Sequence, residues 1–153
     1  MRNVSRKEKK FLVDMASAKQ LEGLLSQVVP GDLHNGSHGY PVRSLYFDTL
    51  HDRDFAEKLF GTDPRRKVRL RVYDPTADFA LLELKQKQGE NQRKRSLPLM
   101  RAEARRLIEG DFDGLLDRPE PFAAEIHALM SINGFRPKAI VEYDRTAFIA
   151  KEY

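Results

Sequence analysis

Residues Lys67-Val68-Arg69-Leu70-Arg71-Val72-Tyr73 alternate cationic and apolar side chains through Val72. A period of two belongs to extended backbone, because successive side chains of a strand point to opposite faces. Lys67, Arg69 and Arg71 therefore share one face, each about 7 Å from the next. Leu82-Glu83-Leu84-Lys85-Gln86-Lys87 repeats the pattern, with Glu83, Lys85 and Lys87 on one side. The intervening Asp74-Pro75-Thr76-Ala77-Asp78 is turn chemistry, so the two segments read as an antiparallel hairpin. A Gly89-Glu90-Asn91 turn then leads to a third strand over residues 94–99. Such a sheet has two readings. Its charged side can simply face water over an apolar core, or its cations can converge on a polyanion, with Arg gripping oxygens as a fork. Periodicity alone leaves both open. Glu83 could partner a neighbouring cation or a divalent metal.

The remaining pattern predicts a short strand over residues 10–13 and an amphipathic helix over 18–29, where Leu21, Leu24, Leu25 and Val28 share a face. Residues 32–39 read as a Gly/Asn/His loop and 42–48 as a strand. A short helix over 51–59 closes at Gly61, with carboxylates of Asp52 and Asp54 at its positive end. Helices follow at 102–109 and 121–133. Gly134-Phe135-Arg136-Pro137 is the stop, and a strand over 139–149 places Val141, Tyr143 and Arg145 together. Strands dominated by antiparallel pairing with interspersed helices make an α+β fold. The 153 residues fit one domain, 1–153.

Composition narrows the chemistry. Without cysteine there is no disulfide scaffold, thiolate metal site or thiol catalysis. Lys plus Arg exceed Asp plus Glu by 27 to 23, a balance that admits polyanion partners without naming one. No apolar run has the length of a membrane span, and the basic N-terminus lacks a signal-peptide core; the chain is expected to be cytoplasmic. No GxxxxGK[ST] loop occurs. His34, His38, His51 and His127 lack metal-ligand spacing. Ser44 and Ser96 read as plain strand residues, Tyr46 and Phe47 as core or substrate-adjacent, and Arg105 and Arg106 as a solvated helix face. The basic strands lack the interleaved aromatics of a base-stacking platform, so nucleic acid is not expected.

Six segments occur in order: Arg6-x-Glu8-x-Lys10-Phe11, Val42-Arg43-Ser44-Leu45-Tyr46-Phe47-Asp48-Thr49, Lys67-x-Arg69-x-Arg71-x-Tyr73, Leu82-Glu83-Leu84-Lys85, Lys94-Arg95, and Tyr143-x-Arg145-Thr146-Ala147-Phe148. Their succession resembles the vacuolar transporter chaperone (VTC) domain, a polyphosphate polymerase within the triphosphate tunnel metalloenzyme (CYTH-like) group. The resemblance implies an antiparallel β-barrel tunnel with inward-facing cations and flanking helices. It implies transfer of the ATP γ-phosphate onto polyphosphate, with Mn²⁺ or Mg²⁺ present. By motif, Lys10, Arg69, Arg71, Lys85, Lys94 and Arg145 are the expected phosphate-binding positions, and Lys67 shares their face. Arg69, Arg71 and Lys85 are the expected catalytic cations. Arg93 or Arg95 could take the register of Lys94, and the metal ligand is left unassigned.

The sequence departs from the family in two places. Hydrolase and cyclase relatives carry Glu-x-Glu-x-Lys at the first strand, whereas Arg6 stands at the first position here, which fits the polymerase branch. The family continues beyond the position of Tyr153 with further basic residues and a metal-binding glutamate. The expectation is accordingly the first two-thirds of a tunnel, incomplete, with an open edge near residues 141–149 through which copies could self-associate. A non-catalytic polyanion-binding module and a tunnel-type triphosphatase are the alternatives to a polymerase, and Arg6 counts against the latter.

Overall fold

The structure, a computed structural model, describes residues 2–37 and 39–150, with the side chains of all of these except Arg2 and Arg6. The His38 reading and the Arg6 side chain lie outside the described set. The chain forms two compact units, one of residues 1–8 and 43–141, the other of residues 9–42 and 142–153.

Six strands build one antiparallel sheet: β1 (Arg2–Lys7), β2 (Tyr40–Asp48), β3 (Arg65–Val72), β4 (Phe79–Gln88), β5 (Asn91–Met100) and β6 (Arg136–Arg145). Their order is β1-β5-β4-β3-β2-β6, so the sheet is open, with β1 and β6 at its edges. Among the described residues four α-helices accompany it: α1 (Met15–Val28), α2 (Arg53–Leu59), α3 (Arg101–Glu109) and α4 (Pro121–Ile132). The α+β architecture follows, as an open sheet without a closed barrel among the described residues.

The alternation decides what is buried. On one face of the sheet Val68, Leu70, Leu82, Leu84, Leu97 and Leu99 are all 5% exposed or less. Ala104 and Leu107 of α3, and Phe122, Ala123, Ile126 and Met130 of α4, belong to the same core. At about 25 cal/mol per Å² of apolar area, this layer is the main source of stability for the larger unit. It also presses the polar faces of β3, β4 and β5 to the opposite side. Arg66, Gln86, Arg93 and Arg95 are polar on the same side, and of these Arg95 is buried. Its guanidinium donates to Glu125 of α4 (Nη2 to Oε1, 2.6 Å) and to Gln86 Oε1 (3.0 Å), over the Phe122 ring at 4.8 Å. The buried charge is thus paired and stacked.

Two sequence expectations need correction. The first strand is Arg2–Lys7, paired with β5 from Arg2↔Ser96 to Lys7↔Asn91. Residues 10–13 are not a strand: Phe11 and Leu12 are more than 80% exposed, and Asp14 instead caps α1 by accepting the Ser17 amide at 2.8 Å. A three-residue apolar run had no neighbouring strand to pair with. The last strand starts three residues earlier than its pattern suggests, because α4 already ends at Ile132, Gly134 (φ +59) turns the chain, and Phe135 is fully buried. It also stops at Arg145. Beyond it, the Ala147 carbonyl accepts from the Asp32 amide (2.8 Å) and the Asn35 side chain (2.7 Å), and the Ile149 amide donates to Pro30 (2.9 Å). These bonds belong to the smaller unit, where Gly39 (φ +82) approaches the Arg145 carbonyl so closely that a Cβ would collide with it.

Candidate functional site

Register turns the alternating cations into a grid. Lys67 lies opposite Lys85, and Lys85 opposite Lys94, so three lysines of adjacent strands form one cross-strand row. The next row on this face runs Tyr46, Arg69, Glu83, Ser96, and the one beyond it pairs Ser44 with Arg71. Directly opposed residues have Cβ atoms about 5 Å apart, and like charges there are destabilising. A sheet selected only for stability would place Thr or Glu at such positions.

Glu83 holds the centre. It is fully buried, and its Oε2 accepts from Arg69 Nε at 2.7 Å while Oε1 accepts from Lys94 Nζ at 3.0 Å and Ser96 Oγ at 3.3 Å. Arg71 Nε stands 4.0 Å from Oε2. Burial pushes the Glu83 carboxyl up, but Arg69 and Lys94 outweigh it and hold the group below the ordinary carboxylate range. Burial likewise opposes the charge of Arg69, and the Glu83 carboxylate more than restores it. Arg69 Nη1 also donates to the Tyr46 hydroxyl at 2.9 Å, and Arg71 Nε donates to Ser44 Oγ at 3.1 Å. The Tyr46 ring lies 5.7 Å from Arg69 and 5.9 Å from Lys67. Lys85 Nζ pairs with Glu8 Oε2 at 2.6 Å. Four cations, Arg69, Arg71, Lys85 and Lys94, are thus held around two carboxylates, with Lys67 opposite Lys85 in the same row.

The register also separates the three candidates on β5. Lys94 points to Glu83, Arg95 to Glu125 on the other side, and Arg93 Nε to Asn3 at 3.2 Å. Lys10 and Arg145 belong to the smaller unit. Lys10 is exposed in the segment before α1, and Arg145 is exposed at the end of β6, 6.0 Å from the Tyr40 ring. Ser44, Tyr46, Ser96 and Glu8 are members of the grid that residue type alone did not single out. The spacing of Ser44 and Tyr46 by two was the available signal, but it becomes informative only once β3 is known to be the neighbour of β2. Asp48 is structural: its carboxylate accepts the amides of Thr49 (2.7 Å), Asp54 (2.9 Å) and Phe55 (2.8 Å) and so caps α2.

Among the described residues no group of three or more His, Asp or Glu side chains is placed to hold a metal ion. His34 and His127 each contact a single carboxylate, Asp32 and Asp113. A divalent ion at Glu83 would face Arg69, Arg71 and Lys94 at close range. The described residues of this face do not by themselves fit a resident divalent metal.

The fold is similar to the crystal structure of a Bacillus halodurans protein described as a candidate adenylate cyclase, with a TM-score of 0.55 and 18% identity. The match covers 98% of this chain and 66% of that one, so the chain spans a little under two-thirds of its neighbour's length. At that identity the likeness is one of fold alone. No curated protein matches the chain by sequence. The sequence matches the family model of the VTC domain over residues 5–153, nearly its whole length, and the chain belongs to the VTC-domain family.

Proposed function

We propose that the basic face of β3, β4 and β5 binds a chain of phosphates and serves transfer of the ATP γ-phosphate onto polyphosphate. The reading rests on one observation, the directly opposed row Lys67–Lys85–Lys94 beside Arg69 and Arg71. Glu8 and Glu83 already pair with Lys85 and Lys94, and a bound row of phosphate oxygens would add counter-charge along the row. Arg69 and Arg71 are preorganised by Glu83, Tyr46 and Ser44, so little ordering accompanies binding. Phosphoryl transfer asks mainly for positioning and charge neutralisation. In this proposal a terminal oxygen of polyphosphate attacks the γ-phosphorus, the bond to the β,γ-bridging oxygen breaks, and ADP leaves. Arg69, Arg71 and Lys85 neutralise the phosphates during that exchange. Mg²⁺ or Mn²⁺ belongs to the proposal as a counter-ion carried on the phosphates, and a cytoplasmic location accompanies it; no helix among the described residues is long and apolar enough to cross a membrane.

The test is incubation with ATP, Mn²⁺ and a short polyphosphate primer, with products resolved by length. Primer-dependent chain growth that Arg69→Ala reduces at least a hundredfold supports the proposal; no growth, with ATP left intact, contradicts it. A second reading, polyanion binding without turnover, is favoured by one feature: Glu8 and Glu83, the carboxylates among these cations, are both engaged in ion pairs. It predicts tight tripolyphosphate binding with no ADP release. The outer edge of β6 is the place where we expect copies to self-associate, read as concentration-dependent mass in sedimentation.

A further inference from the structure

A second basic site stands on the opposite side of the same sheet. Arg66 lies opposite Gln86, Gln86 opposite Arg93, and Arg93 opposite Ser5. This row is one residue out of phase with Lys67–Lys85–Lys94, so its side chains project away from the grid around Glu83. With α2 it lines a cavity of about 570 Å³. Five cations line it, Arg53, Arg66 and Arg93, together with Arg65 and Lys87, which are in the phase of Lys67 and Lys85 but stand at the strand ends, against one lining carboxylate, Glu57. Asp54 stands behind, 3.8 Å from Arg53 Nε and 3.6 Å from Arg66 Nε.

The guanidinium groups are incompletely satisfied. Arg53 Nε and Nη2 and Arg66 Nε are buried without a hydrogen-bond acceptor. The carboxylate contacts at 3.6–3.8 Å are too long to serve, since charge-assisted N–H···O bonds close to about 2.8 Å. Arg66 is held in place over the Phe135 ring at 5.9 Å, and Arg53 Nη1 donates to Asn133 at 3.1 Å. Asp54 Oδ1 and Oδ2 are likewise buried without a donor, so these N–H groups face a loosely held carboxylate, and a ligand in the cavity would be met by the lining side chains of Arg53, Arg65, Arg66, Lys87 and Arg93. Pro64 is the one apolar residue among the described lining, so nothing there supports a base, a ring or an acyl chain. We propose that this cavity binds a short condensed phosphate, independently of the basic face described above.

The test is a titration of the unaltered chain with tripolyphosphate at low ionic strength, following the Nε–H resonances of Arg53, Arg66 and Arg69 by NMR. Saturable shifts at Arg53 and Arg66 are expected. Gln86→Glu with Arg93→Gln should weaken that saturation at least tenfold and leave the Arg69 curve unchanged. Lys19→Gln with Arg105→Gln removes the same charge elsewhere and should change it less than twofold. The proposal is overturned if Arg53 and Arg66 do not shift or shift only linearly, if the control pair weakens them equally, or if Arg69→Ala abolishes their shifts. The Arg69 resonance reports on the proposed polyphosphate face separately, so either site can fail without the other, and the shifts in the unaltered chain need no variant to fold.

Discussion

Two buried acids give the molecule opposite pH responses. Glu83 is held below the ordinary carboxylate range by Arg69 and Lys94, so the stability it contributes is present at neutral pH and is lost only as acid protonates it. Asp54 is pushed up from 3.8 to about 7, by burial first and then by the neighbouring Asp48 and Glu57 charges. Its folded-state affinity for a proton exceeds the unfolded one. Stability from Asp54 is therefore full below about pH 4 and declines as pH rises through 7, by on the order of 4 kcal/mol at most. Urea denaturation at pH 5 and pH 8 should show Asp54→Asn gaining on the parent chain at pH 8; an equal difference at both pH values would contradict the assignment. Glu83→Gln should behave otherwise. It leaves Arg69, Arg71 and Lys94 without their shared counter-charge and should cost about 3 kcal/mol, roughly a 6–12 °C fall in Tm. Tripolyphosphate should recover more of that loss in the variant than it adds to the parent, as calorimetry would show.

Elements differ in how much of their role was legible beforehand. In the middle of β3 and β4, residues 67–72 and 82–85, both the core (Val68, Leu70, Leu82, Leu84) and the cationic side emerge from the period of two. In β2 the run Val42-Arg43-Ser44-Leu45-Tyr46-Phe47 mixes polar and apolar residues on each face, and only its pairing with β3 assigns Tyr46 to Arg69 and Ser44 to Arg71. The start of α2 was legible as a place for carboxylates but not as to which one. Asp52 occupies a left-handed conformation (φ 54) and makes no side-chain cap, while Asp48, four residues upstream at the end of β2, takes the amides of residues 54 and 55. A cap supplied from a preceding strand has no local spacing signature. Asp48→Ala should accordingly cost about 2 kcal/mol and speed amide exchange at residues 54 and 55, with exchange in α4 little changed; uniform acceleration would contradict a local capping role. Lys10 and Arg145 mark the other limit. Their motifs are plain in sequence, yet neither belongs to the unit that carries the grid.

At the scale of the molecule, one physical trade runs through the larger unit. Apolar faces of β3, β4 and β5 bind α3 and α4 into a core, and that packing tolerates a row of opposed lysines on the reverse side. A surface so charged should bind polyanions with a steep dependence on salt, since screening acts over about 10 Å at 0.1 M. The most direct test is calorimetric titration of tripolyphosphate into the parent chain and Arg69→Ala across a salt series. The account predicts saturable binding at low ionic strength that falls as salt rises and weakens at least tenfold, about 1.4 kcal/mol, in Arg69→Ala. No heat of binding at low ionic strength, or an affinity indifferent to Arg69, would contradict it.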